Sequence, residues 1–152
     1  MDTVALPLSR FLGRLLHRPS EDQLHTMAGR VSALDPTSAS PALAAAGHIQ
    51  AGRAALERGA MGEALHHFGQ AIERYPEARW AWHGRGDALQ FSGDHAGAEA
   101  AYGQAVDLDP ECGLHHGGRA NALAAQGQAE AAEEAWELAL RLDPTLEWMR
   151  PG

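Results

Sequence analysis

The sequence predicts an all-α fold, a solenoid of paired antiparallel helices. Three observations carry this expectation. Pro76, Pro110 and Pro144 are evenly spaced along the chain. Glycines at 59, 93 and 127 and alanines at 64, 98 and 132 recur in step with them. So does an aromatic column, Phe68, Tyr102 and Trp136, followed by Ala71, Ala105 and Ala139 and by Ile72, Val106 and Leu140. Self-similarity at a period of roughly 20–50 residues marks stacked supersecondary units, each unable to bury its apolar face alone.

Taken in order, residues 1–18 read as an amphipathic helix. Leu8, Phe11, Leu12, Leu15 and Leu16 share one side, and Arg10, Arg14, His17 and Arg18 another. The expected role of the apolar stripe is to cap the first repeat; contact with a membrane surface or a partner through residues 4–18 is the second reading. Ser20 with Gln23 forms a capping box for a second helix, striped by Leu24, Met27, Ala28, Val31 and Leu34 and ended by Asp35-Pro36. Residues 1–44 thus form an N-terminal helical hairpin, a degenerate copy of the repeat, with a linker at Thr37–Pro41.

Three full units follow, at 45–78, 79–112 and 113–146. Their first helices are expected near 43–57, 79–91 and 113–125, and their second helices near 61–74, 95–108 and 129–142. The recurring glycines lie between the two helices of each unit, where a left-handed residue lets one helix end and the next begin antiparallel. Each proline ends a second helix and pushes the residue before it out of helical geometry. Gly52, Gly86 and Ala120 form a column of small residues, expected to face Ala64, Ala98 and Ala132, with the aromatic column filling the space between. Residues 147–152 form a C-terminal stub. The last unit is expected to leave an apolar flank that Trp148, or a second copy of the chain, covers.

The landmarks Trp82, Gly86, Leu89, Gly93, Ala98, Tyr102, Ala105 and Pro110 resemble the tetratricopeptide repeat family, whose unit is a helix–turn–helix of about 34 residues. The departures are mild: His48 and His116 stand in the column of Trp82, and Ala55 in that of Leu89. The resemblance implies a right-handed superhelical α-solenoid whose first helices line a concave surface. It implies a protein–protein interaction adaptor or scaffold, cytoplasmic and not an enzyme, holding a peptide or helix in that groove. The implied groove residues are Arg53, Trp80, His83, Asp87, Gln90, Phe91 and Asn121, with Ile49, Glu57, Leu114 and Ala124 on the same face. These positions differ among the three units where the scaffold columns agree. Some relatives hold a peptide's terminal carboxylate with lysine, asparagine and arginine. Ile49, Gly84 and Gly118 occupy the matching places here, and no such clamp is expected.

Charge narrows the partner. The chain carries 12 arginines and no lysine against 20 acidic residues, a net charge of −8. The stretch 1–44 balances, and the whole acidic excess falls on the repeats. Phosphate binding needs a positive surface, so nucleic acid is not an expected partner. A basic or neutral protein or peptide is. The alternative is a self-assembling structural protein, a homodimer joined through the terminal repeat or the N-terminal helix. No apolar run is long enough to cross a membrane. The lone Cys112 excludes an intramolecular disulfide. No Ser–His or Cys–His signature is present. The Gly84-Arg85-Gly86 and Gly117-Gly118 stretches sit inside helices, so they read as packing glycines, not phosphate loops. None of the nine histidines pairs with another at helical spacing, so they are expected on the surface, with no metal and no cofactor.

Overall fold

The computed structural model describes residues 40–152. The expectations for residues 1–39, namely the amphipathic basic helix, the helix from Ser20 and most of the degenerate hairpin, lie outside the described residues. Six α-helices form three antiparallel pairs: α1 (Pro41–Glu57) with α2 (Met61–Arg74), α3 (Arg79–Phe91) with α4 (His95–Leu108), and α5 (Gly113–Ala125) with α6 (Ala129–Leu142). A 3-10 turn, Pro144–Met149, follows. The described residues contain no strand.

Five helices occupy the spans expected from the sequence, and α1 begins slightly early, at Pro41. The Ser40 hydroxyl accepts the Leu43 N–H at 3.2 Å, and Pro41 takes the first helical position, where a missing N–H costs nothing. The last residue of the expected linker is therefore helix.

The three turns inside the pairs are copies of one another. Gly59, Gly93 and Gly127 have φ of 74°, 85° and 78°. The residue after each glycine donates its N–H back five positions: Ala60 to Ala55 O, Asp94 to Leu89 O and Gln128 to Leu123 O, at 2.9, 2.9 and 3.0 Å. These are Schellman closures, which satisfy helix-end carbonyls with a left-handed residue. Gly93→Ala should therefore lower the unfolding free energy by about 1–2 kcal/mol. Gly103 lies inside α4 with open space around it, so Gly103→Ala should raise stability by up to about 1 kcal/mol. Urea denaturation of both variants measures the contrast.

The junctions between pairs are equally regular. Tyr75, Asp109 and Asp143 leave the helix with φ near −144° while their N–H groups still bond Ala71, Ala105 and Ala139. This is the extended geometry that a following proline imposes. In the next helix, Trp82 Nε1–H donates to the Pro76 carbonyl at 2.9 Å. His116 Nε2 reaches the Pro110 carbonyl at 2.7 Å and must donate, because a carbonyl only accepts. The histidine thus replaces the tryptophan while keeping its one hydrogen bond.

The core is a row of aromatic rings set between helices. Phe68 is wholly buried, and Tyr102 and Trp136 nearly so. The glycines of the small-residue column meet these rings directly. A Cβ placed on Gly52 would lie 2.8 Å from the Phe68 ring, and one on Gly86 2.7 Å from that of Tyr102. The first two rings also meet a glycine of the next unit. A Cβ on Gly84 would lie 2.3 Å from Phe68, and one on Gly118 2.6 Å from Tyr102. The ring therefore fills a slot between two first helices, and both walls of the slot must lack side chains. The paired glycines are packing glycines on this geometry.

Beyond α6, the 3-10 turn buries Leu146 beside Ala120, Trp136 and Ala139, with Met149 packed against them. Trp148 does not fold back as expected: it is 80% exposed. In a 3-10 turn, side chains three apart share one face, so Leu146 and Met149 turn inward together and Trp148 turns out.

Candidate functional site: a cleft between inner helices

Among the described α-helices, α1 touches α3 and α3 touches α5, whereas no second helix touches another second helix. The first helices therefore crowd on the inner side of the stack. Between α3 and α5 lies a cleft of about 570 Å³. His83, Asp87, Gln90 and Phe91 form one wall, Asn121 and Ala124 another, and Tyr102 the base. Met149 and Pro151 also line it.

Five of the seven expected groove residues, His83, Asp87, Gln90, Phe91 and Asn121, share this cleft. The spacing of Asp87, Gln90 and Phe91 along α3 places them on one face at successive turns. Phe91 is 74% exposed at the rim. Isolated exposed apolar residues are ordinary, but this one borders a cavity whose lining also carries His83, Asp87, Gln90 and Asn121. Asn121 lines the cleft, and its Oδ1, itself buried, has no hydrogen-bond partner. Gln90 Oε1 lies 3.0 Å from His95 Nδ1.

Arg53 and Trp80 stand outside the cleft lining but lead to it. The Arg53 guanidinium lies 5.9 Å from the centre of the Trp80 ring, a cation–π pair. Trp80 in turn meets His83 and His115 edge-on at 5.6 and 4.9 Å. It is half-buried, so it joins the wall of aromatic rings more than it offers a free surface. Ile49 and Leu114 pack against the core.

The base of the cleft is a polar network that sequence periodicity does not reveal. The Tyr102 hydroxyl donates to Asp87 Oδ1 at 2.6 Å. Burial raises the Asp87 carboxyl above the usual carboxylate range, while this hydrogen bond and the Arg53 charge work against the rise. Burial pushes the Tyr102 phenol far up, with the Asp87 charge adding to it, so the hydroxyl stays protonated. In the sequence Tyr102 is legible only as a packing knob, because a column shared with Phe68 and Trp136 says nothing of its hydroxyl.

The histidines depart from expectation. His83, His115 and His116 are buried. His83 Nδ1 lies 3.0 Å from His115 Nδ1, one nitrogen donating and the other accepting. Burial holds both imidazoles at about 4, with the Arg53 charge adding for His83 and the neighbouring His83 for His115. Both rings are therefore neutral near pH 7. Helical spacing within one element cannot find this pair, because its members come from α3 and α5.

Comparison with known proteins agrees with this architecture. The family model of the tetratricopeptide repeat matches residues 49–89 and 83–147. No curated protein matches the chain. Among solved structures, the first TPR domain of human RPAP3 superposes with a TM-score of 0.68 at 22% identity, over 70% of this chain and 84% of that one. The first TPR of Spaghetti (RPAP3), bound to the HSP90 peptide SRMEEVD, gives 0.69 at 21% identity over 71% and 88%. The Arabidopsis OM64 TPR domain gives 0.69 at 18% identity over 72% and 90%. With three units in one register, a glycine-walled slot for each of the first two aromatic rings and a family match that runs through all three, this chain belongs to the tetratricopeptide repeat family.

Proposed function

We propose that the chain is a protein–protein interaction adaptor that holds an extended peptide in the cleft between α3 and α5. The observation that carries this is the cleft itself, which sets an exposed phenylalanine beside the polar side chains of Asp87, Gln90 and Asn121. Phe91 offers an apolar anchor, and the amide side chains of Gln90 and Asn121 in the lining are polar partners for a peptide backbone. The solved relatives captured with an HSP90 peptide and, in the second TPR domain of human RPAP3, with the HSP70 peptide SGPTIEEVD support a peptide as the class of ligand. Those peptides are acidic, and the ligand proposed here is basic or neutral. Gly84 and Gly118 are buried against Phe68 and Tyr102, so neither offers a cation to a terminal carboxylate. The acidic excess of the repeats favours the opposite charge.

Panning a random linear peptide library against the immobilised full chain tests the proposal. Enriched peptides should be basic or neutral, and Phe91→Ala should weaken them by about 10–100-fold in fluorescence polarisation, the loss of one hot-spot anchor. Phe91 is exposed, so the variant should keep its helical circular dichroism. Peptides that bind Phe91→Ala and Asn121→Ala as tightly as the parent chain would place the binding face elsewhere.

A further inference from the structure

We propose that Asp109, Cys112 and His115 form a site for one divalent cation of the zinc type at the junction between α4 and α5. Their donor atoms, a carboxylate oxygen, the thiol sulfur and a ring nitrogen, all lie within 4.8 Å of one another. Asp109 ends α4, Cys112 is the N-cap of α5, and His115 sits in the first turn of α5. The three therefore converge from an Asp-x-x-Cys-x-x-His run that folds around one proline turn.

An independent observation points to a ligand. The His115 side chain is fully buried, and its Nε2 has no hydrogen-bond partner. Its other nitrogen, Nδ1, is engaged with His83. A buried polar atom without a partner is rare and demands a reason. If His115 donates from Nδ1 to His83, Nε2 carries a free in-plane lone pair. A ligating histidine commonly has this arrangement, its outer N–H fixed by a neighbour that sets the tautomer.

The other repeat junctions serve as internal controls. The columns of residues 109, 112 and 115 hold Tyr75, Ala78 and Ala81 one unit earlier, and Asp143, Leu146 and Met149 one unit later. Ala78, Ala81 and Leu146 are buried apolar packing residues. Only the middle junction replaces packing atoms with a thiol and an imidazole. Sulfur, nitrogen and oxygen donors together suit zinc or cobalt better than magnesium or calcium, and three protein ligands leave one position open. Arg79 Nε lies 3.2 Å from Asp109 Oδ2, an ion pair that keeps the carboxylate in place. Binding releases the Cys112 thiol proton to solvent. The ion would staple the proline turn to α5 beside the base of the cleft.

Cobalt(II) titration of the reduced full chain is the test. Cys112 is the only cysteine, so a thiolate-to-cobalt charge-transfer band in the near ultraviolet can arise nowhere else. The expected result is that band at one cobalt per chain, displaced by zinc(II), with zinc raising the thermal midpoint by several degrees at saturating concentration. Cys112→Ser should abolish the band and the thermal shift, and Asp109→Asn should weaken binding at least about ten-fold. Serine caps a helix as well as cysteine or better, so Cys112→Ser should fold. Cobalt binding without the band, or zinc stabilisation that persists in Cys112→Ser, would overturn the site and assign the metal to scattered histidines; a band at one cobalt per two chains would overturn it in favour of an ion shared between two copies through Cys112.

Discussion

Phe68→Ala should lower the unfolding free energy by about 3–5 kcal/mol, against a total of about 5–15 kcal/mol for an ordinary domain. The ring is fully buried and packed against Ala55, Ala64 and Ala88. Alanines cannot extend into the space it leaves, so the cavity stays open and the cost lies high in the range for aromatic truncation. The effect is transmitted between units, because the ring touches Gly52 of its own unit and Gly84 of the next. Chemical denaturation with a two-state fit gives the number. A loss below about 1 kcal/mol would mean that the slot collapses and that the glycine walls are dispensable.

Gly84→Ala should cost about 1–3 kcal/mol or more, although alanine is the better helix former. The new methyl would lie 2.3 Å from Phe68 Cζ and 2.4 Å from Cε1. The ring has little room to retreat, since it is fully buried and Gly52 also approaches it closely. Two errors of opposite sign should therefore compensate. In the Phe68→Ala background the added methyl enters empty space, and Gly84→Ala should become neutral or stabilising. The coupling energy of that double-mutant cycle is expected to match the cost of the single substitution. Simple additivity would show that Gly84 acts through its own backbone and not through the ring.

These two variants also mark how far the sequence can be read. The glycines at 59, 93 and 127 announce their turns because a positive φ is a property of one residue, and the prolines announce the junctions for the same reason. Gly84 carries no such signal. It has no glycine in its column one unit earlier, where Gln50 stands, and helical φ and ψ need no glycine. Its reason is not local: it lies in the Phe68 ring of the preceding unit, which only the stacking of units brings near. The same holds for the cleft. Phe91 and Asn121 stand out because they vary where the scaffold repeats, whereas the hydroxyl of Tyr102 is hidden inside a scaffold column. Trp148 defeats the expectation because stub residues follow no repeat from which to infer their facing.

The sequence by itself determined the helices, their pairing, the turns that close them and the aromatic row, since each depends on local backbone chemistry or on the period of the repeat. Tertiary structure alone decided which glycines wall which ring and which histidines leave the surface. It also decided that Tyr102 binds Asp87, and that Asp109, Cys112 and His115 converge. Those outcomes rest on distances between atoms of different helices, and a repeat pattern records the spacing of columns, not the contacts between them.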